Sequence, residues 1–349
     1  MIRLLLFIRR IILILVMKKF QFICIAFILL FNPEVFGQKQ LKSFKLSKSL
    51  LTYYKYVNKA ENGIINSQFQ PSLNYYKKAF AVFPQGFFSD YNNAYILSAK
   101  LNDQKAQIEY AEYLIQHGIC LPFFYKFPLP MDSINFVALY NKNSKLCHIN
   151  YTFRESIDSL RDVDQDIRHI DATNLQIYRV DSTDYDVFKR LTSKYNFPSI
   201  KNYGVKCNLN KTGVDFTYTI LLKHFNLRKF TGILELLSDA VKKGEVRNDQ
   251  YVDLINGAGQ KIPLYAPHPI LKIDGDYYED LSYSYVHKAI DFNRKSIGLC
   301  NYKDYIEKVK FNLKNPNSPF SLFTYVFPLS TSDIGTKIFK SVKPINMGL

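Results

Sequence analysis

The sequence predicts a mainly α-helical protein, in which N-terminal helical hairpins pack on a second helical domain with few or short strands. Two observations carry this prediction. The 349 residues are 47% apolar and 22% charged, an ordinary globular composition, and the length corresponds to about two domains. Apolar residues recur at spacings of three and four along residues 49–117 and 154–243, with turn signals between the runs. The composition excludes collagen-like, low-complexity and wholly disordered chains.

The chain is basic, with 46 Lys and Arg against 30 Asp and Glu and a formal charge of +16. Such a balance favours anionic partners, and an anionic small molecule or glycan is one candidate. No run of five consecutive cations occurs. We therefore expect the excess charge to be spread over solvated faces, and we do not expect nucleic acid as a partner.

Residues 1–37 are predicted to be an export signal. Two lysines follow Met17, and the apolar run after them, Phe20–Phe31, is 12 residues long, too short to span a bilayer comfortably. A small residue before Gln38 provides an acceptable cleavage site. We expect Met17 to be the true start and the mature chain to be periplasmic or secreted from a Gram-negative bacterium, without a stable membrane span. The additional apolar run before Met17 keeps an uncleaved membrane anchor open as the alternative.

Four helices separated by turn signals are predicted next: Ser49–Ala60, Pro71–Phe83, Ser89–Leu101 and Lys105–His117. The segment is similar to itself at an offset of 34 residues, which aligns Ala60 with Ala94 and Tyr76 with Tyr110. Small residues at such positions allow paired helices to approach closely, while a tyrosine fills the groove between them.

This segment resembles tetratricopeptide repeats. The signature spacing of that family is matched at six positions: Tyr56, Ala60, Ser72, Tyr76, Ala79 and Pro84. Lys59 and Gly63 depart from it, because the repeat has larger apolar or aromatic residues there. The resemblance implies a protein-binding surface or a cap on a neighbouring domain, and an unrelated pair of helical hairpins is the alternative. Two repeat units are fewer than a free solenoid needs, so we expect the segment to pack on the domain that follows.

A proline-rich stretch, Leu121–Pro130, interrupts the helices, and the domain boundary is predicted near residue 148. The predicted organisation is a helical segment at 38–147, a second helical domain at 148–311, and a loop with a C-terminal tail at 312–349.

Four widely spaced cysteines follow the predicted signal: Cys120, Cys147, Cys207 and Cys300. They form no Cys-x-x-Cys motif, which argues against a zinc site and against a thioredoxin-like centre. We expect four isolated buried thiols. An oxidising compartment would permit a disulfide, for which Cys120 and Cys147 are the nearest pair.

In the second domain, a helix is predicted over Arg154–Ala172. Asp164 and Arg168 share its apolar stripe, which predicts that both face inward. They stand four residues apart, so each can satisfy the other, as buried polar groups require. The alternative is an exposed ion pair, which stabilises a helix by about 0.3–0.5 kcal/mol.

Three further helices are predicted in this domain. Thr183 and Asp186 predict a capping box at the start of the first of them. The other two, Gly213–Asn226 and Phe230–Lys243, are predicted to form an antiparallel hairpin. His224 lies on the apolar stripe of the former. Because a lone histidine on an apolar face is more often a core residue than a catalyst, both interpretations stay open.

Several motifs follow one another in order along residues 150–310: Asp164-Gln165-Asp166-Ile167-Arg168, Phe197-Pro198 with Gly204, His224 in a helix, LLSDAVKKGEVRNDQYVDLI, and Asp291, Arg294 and Ile297-Gly298-Leu299 before Tyr305. In order and spacing they resemble an uncharacterised bacterial family, the domain-of-unknown-function family numbered 6624. The resemblance implies an architecture and a candidate site without a known reaction. It carries over to Asp164, Gln165, Arg168, His224, Asp291 and Arg294.

The chain departs from that family around Asn256. The family tends to have an Asp-Arg pair followed by Gln-x-Tyr-Gly, whereas this chain has Leu254-Ile255-Asn256-Gly257. The departure puts in doubt any activity that needs an acid or base at this place. Elsewhere the chain has no GxSxG, HExxH, P-loop or dinucleotide-binding motif, and its histidines show no paired ligand spacing. We therefore predict neither a metal site nor a cofactor.

Two hypotheses of function follow. The first, favoured by the repeat and by the missing catalytic motifs, is an exported interaction or scaffolding protein that binds another protein through its helical repeat segment. The second is an enzyme or small-ligand receptor whose pocket is formed by Asp164, Arg168 and His224. In the second, Arg168 binds an anionic group and His224 exchanges protons. The candidate residues that would line its ligand site are Gln165, Arg168, Asn256, Asp291 and Arg294.

Overall fold

The structure is a computed structural model that describes residues 45–207, 214–215, 218–256, 265, 270–273, 276–281, 286–322, 327–329 and 342–345. From Lys45 onward the chain forms one compact unit, and the boundary predicted near residue 148 lies inside it. The predicted export signal, residues 1–37, lies outside the described residues. Most of the described residues are helical, so the predicted mainly α fold is confirmed.

Four helices form the N-terminal segment: α1 (Lys48–Ile65), α2 (Phe69–Val82), α3 (Phe88–Lys100) and α4 (Gln104–Gln116). Two of them begin with a side-chain cap, because Ser47 Oγ and an Asp103 carboxylate oxygen each accept a hydrogen bond from a first-turn backbone N–H. α1 packs against α2 and α3 against α4. Since each pair is joined by a short connection, the segment consists of two helical hairpins.

Small residues allow the helices of this segment to approach closely. Ala60 and Ala94 are fully buried. A Cβ atom on Gly63 would lie 2.2 Å from Ser72 Oγ, so the close approach of α1 to α2 requires glycine there. This burial suits any closely packed hairpin, and the relation to tetratricopeptide repeats stays a prediction.

Nine further helices follow in the described part of the chain: α5 (Leu121–Phe124), α6 (Ser133–Ser144), α7 (Tyr151–His169), α8 (Asn174–Tyr195), α9 (Thr219–Leu227), α10 (Ile233–Lys242), α11 (Asn248–Asn256), α12 (His287–Ser296) and α13 (Tyr302–Lys314). α7 to α9 carry the candidate site. α8 packs on α7, and α9 packs on both of them.

The structure corrects two of the predicted helix starts. The capping box lies at Thr173 and Gln176, ten residues before the predicted Thr183, because α8 begins at Asn174. α9 begins at Thr219, since Val214–Asp215 is a strand rather than part of the helix. The local sequence signals at Thr183 and Gly213 therefore do not mark the starts of these two helices.

Two small sheets complete the described fold. Strand β1 (Lys206–Cys207) pairs antiparallel with β2 (Val214–Asp215). The second sheet has the order β5-β3-β4-β6, with β3 (Ile270–Ile273), β4 (Asp276–Asp280), β5 (Phe327–Leu329) and β6 (Val342–Pro344). β3 is antiparallel to β4 and parallel to β5, and β6 is antiparallel to β4. The segment predicted as loop and tail, 312–349, therefore contributes two strands.

The hairpins pack against the C-terminal half of the chain. α13 contacts α1, and Asn58 Nδ2 donates to the backbone oxygen of Gly298 at 2.9 Å. Asn93 exchanges two hydrogen bonds with the backbone of Ser321, at 2.7 and 3.0 Å. The segment therefore uses part of its surface to pack on its own chain.

One cysteine prediction is wrong. Cys120 is disulfide-bonded, whereas Cys147 and Cys300 are free thiols. The four cysteines are therefore not all isolated, and Cys120 does not pair with Cys147. Proximity along the chain is a poor guide here, because a disulfide requires Cα atoms within about 7 Å in the folded chain.

No helix in the described part of the chain combines the length and the apolarity that a membrane span needs.

Candidate functional site

Asp164 and His224 meet at the packing of α7 against α9. His224 Nδ1 lies 2.9 and 3.0 Å from the two carboxylate oxygens of Asp164. The Asp164 side chain is fully buried, whereas 18% of the His224 side chain is exposed. An exposed ion pair at Asp164 is therefore excluded, and the inward face predicted for this residue is confirmed.

Two arginines extend this contact to α8. Arg168 Nη1 lies 2.9 Å from Asp164 Oδ1, and its Nη2 donates to Asp181 Oδ1 at 2.6 Å. Arg228 Nε donates to the other oxygen of Asp181 at 2.7 Å. Gln165 Nε2 donates to Asp164 Oδ2 at 2.6 Å. We call these residues the Asp164 cluster, which consists of Asp164, Gln165, Arg168, Asp181, His224 and Arg228.

Sequence reasoning missed Asp181 and Arg228. The helix start predicted at Thr183 placed Asp181 outside the helix, so no face could be assigned to it. With the helix starting at Asn174, Asp181 lies two turns inside α8, at a position that a helical pattern could have marked as inward. Arg228 lies just after α9, one turn beyond His224.

The cluster holds its central carboxylate in the charged form. Burial favours the neutral carboxyl of Asp164, but hydrogen bonds from His224 and Gln165 and the charge of Arg168 outweigh this effect and lower its pKa. An ionised carboxylate only accepts hydrogen bonds, so the His224 Nδ1 that faces it must carry the proton. In a neutral imidazole this leaves Nε2 with a free lone pair.

A second carboxyl next to the cluster behaves in the opposite way. Asp184 is buried, and its Oδ2 has no hydrogen-bond partner in the described part of the chain. Burial and the charges of Asp164 and Asp181 raise the pKa of Asp184 to about 7. Because a carboxyl with this pKa is partly protonated near neutral pH, Asp184 can take up or release a proton beside the cluster.

Three ligand atoms, from Asp164, Asp181 and His224, lie within 4.8 Å of one another and could hold a metal ion. The positive charge of Arg168 already bridges the two carboxylates, at 2.9 and 2.6 Å. A metal ion would have to compete with this guanidinium for the same oxygens, and the charge of the arginine would repel it. The arrangement suits proton exchange and anion binding better than metal binding.

The other candidate residues have different contacts. Asp291 Oδ1 accepts from the backbone N–H of Tyr302 at 2.6 Å. Arg294 is buried and donates to the backbone oxygens of Cys300 and Tyr265, both at 2.7 Å. Their described contacts link α12 to its neighbours and do not include the Asp164 cluster. Asn256 ends α11, and its side chain lies outside the described residues.

A second polar group, which the sequence analysis did not predict, joins the hairpins to the C-terminal half. Arg247 donates to Glu61 and to Asp90, both at 2.7 Å, and its Nε lies 2.8 Å from Asp249, although not in hydrogen-bond geometry. Lys308 contacts the other Glu61 oxygen. We call Glu61, Asp90, Arg247, Asp249 and Lys308 the Arg247 cluster. Apart from Arg247 and Asp249, the paired members of this cluster are 157 to 247 residues apart along the chain, farther than local spacing can reveal.

Comparison with protein-family models, with curated proteins and with solved structures finds no match for this chain. The resemblance to the family numbered 6624 therefore stays a prediction.

Proposed function

We propose that the Asp164 cluster binds the anionic group of a small molecule and that His224 exchanges a proton with it. One observation carries this proposal. The fully buried carboxylate of Asp164 holds His224 Nδ1 at 2.9 Å while the imidazole stays partly exposed. A carboxylate in this position fixes the tautomer and the orientation of a histidine, which leaves Nε2 for acid–base chemistry.

The charge of the two arginines supports an anionic ligand. The side chains of Arg168 and Arg228 are 22% and 30% exposed. Arg228 uses only its Nε toward Asp181, and its Nη1 and Nη2 have no hydrogen-bond partner among the described residues. A partly exposed guanidinium with unused N–H donors is suited to a phosphate or carboxylate, because its donors match two oxygens of the anion.

An interaction or scaffolding role has less support. It was predicted for the helical repeat segment, and part of that segment packs on α13 and on residues 320–321 of its own chain. The Asp164 cluster, in contrast, brings together four of the residues that the family resemblance carried over, from α7 and α9.

We further propose that the chain works outside the cytoplasm. The disulfide at Cys120 supports this location, because disulfides persist in oxidising compartments and are rare in the cytosol. The predicted signal in residues 1–37 is consistent with it.

Titration with inorganic phosphate tests the proposed site. Phosphate binding to the purified chain is measured by calorimetry, and the protonation of His224 is followed through its imidazole C2–H signal by NMR. We expect phosphate to raise the midpoint of the His224 titration, because a bound anion stabilises the imidazolium. We expect His224→Gln and Arg228→Gln each to weaken phosphate binding about tenfold, which corresponds to about 1.4 kcal/mol.

His169→Gln is the matched control, since His169 is an exposed histidine on α7, the helix that carries Asp164. It should leave phosphate binding and the His224 titration unchanged. Equal phosphate affinity in the wild type, His224→Gln and Arg228→Gln would refute the proposal, as would a His224 titration that phosphate does not move.

A further inference from the structure

A cavity of about 600 Å³ lies between the hairpins and the C-terminal half, apart from the Asp164 cluster. Its volume falls within the range of about 300–1,000 Å³ that is typical of small-molecule sites. Much of its wall is aromatic: Phe87, Phe88, Phe123, Phe127, Tyr218 and Phe320. A surface of this kind favours a ligand with an apolar body, and the negative ring faces also attract cations.

Glu245 is the carboxylate in this wall that lacks a partner. It is half-buried, and within the described part of the chain no hydrogen bond or ion pair reaches its side chain. Burial raises the pKa of the Glu245 carboxyl, and the charges of Lys243 and Lys201 offset this effect only in part. The other carboxylate of the wall, Asp249, is already paired with Arg247 at 2.8 Å.

The positive charge of Arg247, which also lines the cavity, is offset inside the protein. Three carboxylates of the Arg247 cluster surround it, those of Glu61, Asp90 and Asp249. The cluster holds these three acidic groups and two cations, Arg247 and Lys308, and burial raises the pKa of Asp90 to about 7, so the charges of the cluster are close to balanced near neutral pH. The remaining cation of the wall, Lys126, is exposed and can turn toward water.

From these features we infer that the cavity binds a small organic cation, with its ammonium group at Glu245 and its apolar body against the aromatic wall. The aromatic rings and the unpaired carboxylate favour the same class of ligand, because both stabilise a positive charge that has left water. This inference does not depend on the function proposed for the Asp164 cluster. The two sites share only α9, whose N-cap residue Tyr218 lines the cavity, six residues before His224.

Three ligands with the same phenyl body and different head groups test the inference: 2-phenylethylammonium, 2-phenylethanol and 3-phenylpropanoate. Their affinities for the full chain are measured by calorimetry near neutral pH. We expect the ammonium ligand to bind at least about tenfold more tightly than the alcohol, and the carboxylate ligand to bind most weakly. Equal affinities for the ammonium and the alcohol, or tightest binding of the carboxylate, would overturn the inference.

Two substitutions locate the binding site. Glu245→Gln should remove most of the preference for the ammonium and leave the affinity for the alcohol unchanged. Glu235→Gln is the matched control, because Glu235 is exposed on α10 and does not line the cavity; it should change nothing. Phe127→Ala removes a half-buried ring from the aromatic wall and should weaken the binding of all three ligands equally. If the ammonium preference survives Glu245→Gln, or if Phe127→Ala leaves binding unchanged, the ligand lies elsewhere and the inference is wrong.

Discussion

The Asp164 cluster and the Arg247 cluster are built from the same kinds of side chain, yet they differ in their exposure to water. In the Arg247 cluster the arginine side chain is 8% exposed and faces three carboxylates. In the Asp164 cluster the side chains of Arg168, Arg228 and His224 are 18% to 30% exposed. The first group joins two parts of the fold, and the second keeps polar atoms that can reach a ligand.

This difference shows how the geometry of a buried ion pair indicates its role. An arginine whose charge is compensated on all sides gives up its hydration and contributes mainly to the correct assembly of the fold. A histidine or arginine that is held from one side and open on the other retains chemistry that a ligand can use. Exposure and unused donors distinguish the two cases, whereas residue type does not.

The largest effect is expected from Arg247→Met. The substitution leaves the buried carboxylates of Glu61 and Asp90 without their shared cation, and breaking a buried pair in this way costs about 3–5 kcal/mol. Urea unfolding measures this loss. Arg190→Met, at an exposed position on α8, is the control and should stay within about 0.5 kcal/mol of the wild type. If Arg247→Met lowers the free energy of unfolding no more than the control does, the Arg247 cluster does not stabilise the fold.

An intermediate effect is expected in the pH dependence of stability. The pKa of Asp184 is about 7 in the folded chain and 3.8 as the ordinary value. Between these values the folded state binds more protons than the unfolded state, so this group makes stability fall as pH rises, by up to about 1.4 kcal/mol per pH unit. Asp184→Asn should remove this contribution.

Urea unfolding of the wild type and of Asp184→Asn, from about pH 5 to about pH 8, measures the difference in slope. Asp186→Asn is the matched control, because Asp186 is an exposed carboxyl on the same helix. Identical pH slopes for Asp184→Asn and the wild type would show that the carboxyl next to the Asp164 cluster is not protonated near neutral pH.

The smallest effect on stability is expected from His224→Gln. Its imidazole is partly exposed, and the Gln amide can still donate to Asp164, so the free energy of unfolding should change by less than about 1 kcal/mol. Thermal unfolding measures it beside phosphate binding. A fall in the melting temperature of many degrees would show that His224 is a packing residue. The Asp164 cluster would then stabilise the fold, as the Arg247 cluster does.

Local spacing could predict the part of the Asp164 cluster that lies on α7. Asp164 and Arg168 share a face of α7 because they stand four residues apart, and this pair forms as expected. His224 could be placed on an inward stripe, but its contact with Asp164, 60 residues away, could only be hypothesised. Asp181 was missed because the predicted start of its helix was wrong, and Arg294 was included although it donates to backbone oxygens elsewhere.

The amino-acid sequence by itself determined the helical class and which residues turn inward on each helix, because helix geometry sets contacts three and four residues apart. Only the tertiary structure decided which distant polar side chains meet, including Glu61 with Arg247 across 186 residues. It also decided which of these groups keep contact with water. The reason is physical, since such contacts depend on how whole elements pack and no short-range spacing encodes them.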